Sequence, residues 1–134
     1  MISKPLVEVA IKLTGHGFAP EDVTAAVGLA PTKTWRLGDQ IQQTALRRKH
    51  DGWLFGIPQR ETYDMEAMLC ELLTAIEPYH ESLNDAISRF HLQKVISFGV
   101  YINDQTPTCY FTDETLRRIA RLGVSLDIDL ILSE

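Results

Sequence analysis

The chain has 134 residues and a formal net charge of −5, with 45% hydrophobic and 23% charged residues. This is the composition of an ordinary globular protein, and a chain of this length can fold without a metal or a disulfide. The acidic balance argues against a general nucleic-acid-binding protein. We therefore expect a single domain over residues 1–134.

The sequence offers no targeting or membrane-spanning segment. No apolar run approaches the ~20 residues that a membrane helix requires. Glu8 and Lys12 interrupt the apolar N-terminal segment, so we expect no signal peptide and a cytoplasmic protein. Cys70 and Cys109 lack the spacing of a metal or redox motif, and we expect both to be reduced and buried. We expect neither a cofactor nor a bound metal.

The first third of the chain predicts a strand, a helix and a loop. Apolar and polar residues alternate over residues 5–14, which is typical of a half-buried strand. Pro20 suits the first turn of a helix over about 20–27, and Gly28 suits its end. Residues 29–40 have no clear period and are expected to form an ordered loop.

The middle of the chain predicts a hairpin and two helices. Strands over Ile41–Lys49 and Trp53–Ile57 would flank Asp51-Gly52, because an Asp-Gly pair favours a tight hairpin turn. A single apolar stripe predicts a helix over 64–77. A second helix is expected over about 79–90.

The last third predicts two strands around a helix. Residues 94–102 are nearly all apolar, as in a central strand, and Cys109–Phe111 would form a short strand or an extended approach. Thr112 is expected to cap a helix whose Leu116 faces the core. Val124–Leu132 would be the final strand.

Together these elements predict an α+β fold with a mostly antiparallel sheet and helices packed chiefly on one face. Two duplicated β-α-β halves are a further hypothesis, since a short helix follows a strand in both the first and the last part of the chain.

Charge is distributed unevenly along the chain. Residues 31–50 carry +4 and residues 51–90 carry −6. The negative charge lies mostly on the predicted outer faces of the two middle helices, with Glu66, Glu71, Glu77 and Glu81 as the candidate acidic face. This pattern indicates either a solvated helix surface or a docking face for a basic protein partner. We expect no nucleic-acid or membrane partner, and the oligomeric state stays open.

Two carboxylates near the C-terminus form a second candidate site. Alternation along a strand puts Asp127 and Asp129 on one face, with Cα atoms roughly 6.5–7 Å apart. Such a pair could bind a cation, carry out acid–base chemistry, protect a sheet edge or pair with basic side chains.

The loop after the first helix forms a third candidate site. Gly38 and Asp39 suggest a tight turn, and Trp35 is a large aromatic residue in polar surroundings. Trp35 would either cap the core or form one wall of a groove, with Lys33 and Arg36 as contacts for a ligand or partner. We expect Asp127 or Asp129 to pair with Lys33 or Arg36.

Two segments carry a family resemblance. The early segment TGHGFAPEDVTAAVGLAPTKTWRLGD and the late segment LGVSLDIDLIL resemble the bacterial domain-of-unknown-function family 4279. The resemblance spans nearly the whole chain and implies a small bacterial α+β domain with no assigned enzyme activity. It marks Gly28, Leu29, Pro31, Trp35, Gly38, Asp39, Asp127 and Asp129.

No motif for catalysis, phosphate binding or metal binding is visible in the sequence. We therefore expect a non-enzymatic binding or interaction protein, and the favoured hypothesis within this class is a toxin-neutralising immunity-type protein. The alternative is a small-ligand-binding protein or enzyme with a pocket between the Trp35 loop and the Asp127/Asp129 strand.

Overall fold

The computed structural model describes residues 3–132 of the chain. Its elements are β1 (Leu6–Gly15), α1 (Pro20–Val27), β2 (Lys33–Trp35), β3 (Asp51–Glu61), α2 (Met65–Ile76), a 3-10 turn (Glu77–Tyr79), α3 (His80–Phe90), β4 (Gln93–Ile102), α4 (Asp113–Leu122) and β5 (Ser125–Leu132). The four predicted helices and the predicted first, central and final strands are confirmed, because their periodicities are long and unambiguous.

The five strands form one sheet in the order β2-β3-β1-β4-β5. β2 and β3 are antiparallel, β4 and β5 are parallel, and the sheet as a whole is mostly antiparallel. Parallel neighbours need a crossover connection, which α4 provides between β4 and β5. The predicted α+β class is confirmed.

Burial alternates along the strands, so the sheet has a packed face and an open face. In β1 the buried residues are Val7, Val9, Ile11 and Leu13. In β4 they are Ile96, Phe98, Val100 and Ile102. The residues between them are only half-buried or exposed, as expected where helices cover one side of an antiparallel sheet.

The described chain divides into two compact units. The first comprises residues 3–11, Gly56–Pro78 and 95–132, and the second comprises Lys12–Phe55 and Tyr79–Lys94. In the first unit α2 contacts α4, and in the second unit α1 contacts α3. The two β-α-β segments also differ in topology, since β4 and β5 are neighbours whereas β3 lies between β1 and β2.

The predicted hairpin at Asp51-Gly52 is wrong. β3 runs through this pair as a continuous strand, and residues 41–49 form a loop with an isolated bridge between Gln40 and Arg47. The antiparallel partner of β3 is β2, which lies in the segment expected to be a loop. Asp51 is held in the strand by long-range hydrogen bonds, which override the local turn preference.

Trp35 explains why glycine occupies position 52. The two residues are paired in register, and a Cβ atom on Gly52 would overlap Cε2 and Cζ2 of the indole. The indole fills the space over the bare backbone, and Trp35 is only 6% exposed. Gly52 therefore permits a close approach of backbone and ring instead of a turn.

The expectations that Leu116 faces the core and that both cysteines are buried are also wrong. Thr115, not Leu116, faces inward, because its hydroxyl contacts Cys70 and Thr112, and Leu116 is 49% exposed. Of the two alternatives for Cys109–Phe111, a short strand or an extended approach, the strand does not form, and the preceding Thr108 makes an isolated bridge with Asp64. Cys109 is exposed and Cys70 is half-buried.

We expect Gly52→Ala to lower the free energy of unfolding by about 3 kcal/mol, because the rigid indole of Trp35 cannot yield to the added methyl group. Gly99→Ala is the control. There the nearest atom is Glu8 Oε1 at 2.8 Å, which lies at the end of a flexible side chain, so we expect a loss below about 1 kcal/mol. Urea unfolding of both variants measures the difference, and equal losses contradict the packing argument.

Candidate partner-binding face

The loop after β2 is built by its own polar residues. The Asp39 carboxylate accepts the backbone N–H of Arg36 at 2.8 Å, and the Asp39 N–H donates to the Arg36 carbonyl at 3.0 Å. Gly38 supplies the positive φ of 90° that this tight turn requires. The Arg36 guanidinium pairs with Glu21 at 2.9 Å, so an intramolecular carboxylate already occupies this candidate anion contact.

Trp35 is enclosed by two residues that follow this turn. Its indole N–H donates to His50 Nδ1 at 3.3 Å, and the Arg48 guanidinium lies 4.4 Å from the ring centroid. This is the geometry of a cation–π contact over a buried ring. Of the two roles predicted for Trp35, the structure therefore supports a cap on the core of the second unit.

Asp51 is a structural residue that the sequence reasoning missed. It is 6% exposed, and its carboxylate accepts the backbone N–H groups of Gly17 and Leu37, each at 2.9 Å. Burial raises the pKa of Asp51, but hydrogen bonds from Leu37, Gly17 and Phe18 and the charge of Arg36 outweigh burial and lower it overall. The available sequence signal is an aspartate beside an apolar run, a pattern that also predicts a turn.

The pKa of Asp51 is lower in the folded protein than its ordinary value of 3.8, so the ionised carboxylate stabilises the fold at pH values above 3.8. This contribution to the free energy of unfolding is lost as the pH falls through the folded-state pKa. We expect Asp51→Asn to cost about 1–3 kcal/mol at neutral pH, because its amide group cannot accept both N–H bonds. The difference in free energy of unfolding between the variant and wild type should shrink as the pH falls below about 4. Urea unfolding between neutral and acidic pH measures this, with Asp39→Asn as an exposed control. A deficit that does not change with pH contradicts the assignment.

The four glutamates of the predicted acidic helix face have unequal roles. Glu66 accepts the backbone N–H of Thr112, Glu71 binds Arg60, and Glu77 binds Arg118 through both oxygens at 2.8 and 2.9 Å. The hydrogen bond and charge of Arg60 lower the pKa of Glu71. Among residues 3–132, Glu81 has no ion-pair partner within 4.0 Å. Three of the four carboxylates therefore have contacts inside the first unit and offer less free charge to a partner.

We therefore expect charge reversal at Glu77 to destabilise the fold. We expect Glu77→Lys to lower the free energy of unfolding by about 1 kcal/mol, because it replaces the partner of Arg118 with a like charge. Glu81→Lys makes the same change at an exposed position and should stay within about 0.5 kcal/mol of wild type. Thermal unfolding of the two variants compares them, and equal effects contradict a structural role for Glu77.

The open face of the first unit brings Asp127 and Asp129 together with a third carboxylate. Parallel register places Asp127 opposite Ser97 and Asp129 opposite Gly99, which confirms that both aspartates share one face. A Cβ atom on Gly99 would lie 2.8 Å from Glu8 Oε1, so Glu8 occupies the same face. We call Glu8, Asp127 and Asp129 the carboxylate face.

Tyr101 and Gln59 hold Glu8 in position. The Tyr101 hydroxyl donates to Glu8 at 3.3 Å, and the Gln59 amide donates at 3.5 Å. Burial raises the pKa of Tyr101, and the negative charges of Glu8 and Asp129 raise it further. Within residues 3–132, no Lys, Arg or His side chain lies within 4.0 Å of the three carboxylates. The carboxylate face is therefore negatively charged and free of intramolecular ion pairs in the described chain.

A groove lies beside Tyr101 on the first unit. Its volume is about 480 Å³, and it is lined by Leu6, Gln59, Tyr101, Asn103 and Ile131. Its lining combines apolar side chains with amide and phenol groups, so it can accept a side chain that is part apolar and part polar.

The predicted link between the loop and the terminal strand is wrong. β2 and β5 are the two edges of the sheet, with three strands between them. The ion pair expected between Asp127 or Asp129 and Lys33 or Arg36 does not form, and Arg36 pairs with Glu21 instead.

Two further observations concern only the part of the chain that is described. No three His, Cys, Asp or Glu side chains among residues 3–132 are grouped so that they could hold a metal ion. No helix within these residues has the length and apolar character needed to cross a bilayer.

A family model described as a domain of unknown function (DUF4279) matches residues 5–133, so the chain belongs to this family. No match was found among curated proteins or solved structures. In the structure the marked loop positions Trp35, Gly38 and Asp39 build and close the loop. Asp127 and Asp129 instead lie exposed on the carboxylate face.

Proposed function

We propose that this protein is a non-enzymatic binding protein that docks a basic protein partner on its carboxylate face. The observation that carries the proposal is the set of three carboxylates, Glu8, Asp127 and Asp129, on an uncovered part of the sheet without an ion-pair partner in the described chain. Like charges on one face repel each other, and a cationic partner would relieve that repulsion. Complementary charge would also accelerate encounter.

Protection of a sheet edge explains only part of this arrangement. Charged side chains on an edge strand discourage aggregation, and β5 is an edge strand. β1 lies in the middle of the sheet, between β3 and β4, so Glu8 cannot serve that purpose. A half-buried carboxylate on a central strand, held by Tyr101 and Gln59, is better explained by a binding role.

Within this class we favour a cytoplasmic immunity-type protein of bacteria. Toxins that cleave nucleic acids grip phosphate backbones with Lys- and Arg-rich surfaces, and a row of carboxylates can cover such a surface. The support is the negative charge of the carboxylate face, which fits a small acidic inhibitor. A toxin gene beside the gene for this chain is the observation that would strengthen this assignment most.

The groove beside Tyr101 supports a second candidate function, the binding of a small ligand. Its volume of about 480 Å³ and its mixed lining suit a small molecule with a cationic or hydrogen-bonding group near Glu8.

A titration with a tetra-lysine peptide, followed by amide NMR shifts, tests the proposed face. We expect shifts on β1, β4 and β5, and a loss of affinity with added salt. Asp127→Asn with Asp129→Asn should weaken binding about fivefold, since each removed charge contributes about 0.5 kcal/mol at an exposed site.

The matched control is Glu81→Gln with Asp85→Asn, which removes two charges from the exposed side of α3. This variant should bind the peptide like wild type. If the control weakens binding as much as the β5 variant, or if the shifts lie on α2 and α3, the partner does not use the carboxylate face.

A further inference from the structure

The outer edge of β5 is paired with no strand among residues 3–132. β5 has eight residues and pairs along its whole length with β4, from Val95↔Ser125 to Ile102↔Leu132. It is the last strand of the sheet, so no other described strand pairs with its second side. The opposite edge, β2, has only three residues. β5 is therefore the longer of two edges at which an extended segment could add to the sheet.

The two faces of β5 differ in chemistry. Asp127 and Asp129 point to the carboxylate face. The alternate residues Leu126, Ile128, Leu130 and Leu132 point to the packed face, where their partners on β4 are buried. Leu130 is nevertheless 56% exposed and Leu132 75% exposed, so the apolar layer continues to the edge of the sheet without cover there.

We propose that β5 receives an extended segment of the basic partner as an additional strand, with Lys or Arg alternating with aliphatic residues. Side chains of a strand point alternately to the two faces, so one set would meet Asp127 and Asp129 and the other would cover Leu130 and Leu132. Backbone hydrogen bonds between β5 and the added segment would supply affinity, and the alternation of basic and aliphatic side chains in that segment would supply specificity. This inference rests on the proposed function and names the kind of segment that the face accepts.

A second copy of this chain fits the same edge poorly. Antiparallel pairing of two β5 strands about Ile128 would set Asp127 of one copy opposite Asp129 of the other, and like charges directly opposite are destabilising. Charge complementarity therefore favours a foreign basic segment over self-association.

The test compares two peptides of equal composition and of the length of β5, eight residues. In one, Lys and Val alternate; in the other, four Lys precede four Val. Only the alternating peptide can place all its charges on one face, so we expect it to bind about tenfold more tightly. The alternating peptide should also slow hydrogen exchange at the β5 amides. Sedimentation of the protein alone at increasing concentration tests self-association, and we expect a monomer.

A charge exchange adds a second readout. The double variant Asp127→Lys with Asp129→Lys should no longer bind the alternating Lys–Val peptide and should bind an alternating Glu–Val peptide instead. The control variant Glu81→Lys with Asp85→Lys should bind both alternating peptides with the affinity of wild type. If the two Lys–Val peptides bind equally and leave β5 exchange unaltered, strand addition is overturned and only charge-based docking survives. If neither binds, both the strand addition and the basic-partner proposal fail. Self-association that protects β5 assigns the edge to a second copy and overturns the inference.

Discussion

The buried carboxylate of Asp51 is the constraint on which the second unit depends. It joins three segments of the chain, because it accepts the N–H groups of Gly17 and Leu37. Gly17 lies 34 positions before Asp51 and Leu37 lies 14 positions before it. A buried carboxylate without such donors would cost several kcal/mol, so the loop around Leu37 must adopt an arrangement that supplies them. The adjacent Gly52 then lets Trp35 pack against the start of β3.

Much of the charge that looks available in the sequence is used to hold the fold together. In the basic segment, Arg36 binds Glu21 and Arg48 lies over Trp35. In the acidic segment, Glu71 and Glu77 each bind an arginine of the first unit. A run of like charge along the chain therefore does not define a binding surface, because the fold brings each charge next to a different neighbour.

The carboxylate face differs from these paired charges. Its aspartates stand on the edge strand and its glutamate on a central strand, and a tyrosine and a glutamine orient that glutamate without neutralising it. The same edge exposes Leu130 and Leu132 on the opposite side. Negative charge, apolar surface and an unpaired strand backbone thus meet at one edge, and each of them can engage an extended basic segment in a different way.

The sequence by itself determined the helices and most of the strands, but not β2 or the start of β3. Periodicity located the four helices and three of the strands, and alternation correctly placed Asp127 and Asp129 on one face, because these properties depend on neighbours two to four residues apart. Tertiary structure alone decided the rest. Asp51 became a strand residue because distant N–H groups bind it, and Glu8 joined the two aspartates because strand order, which no local pattern encodes, set β1 beside β4.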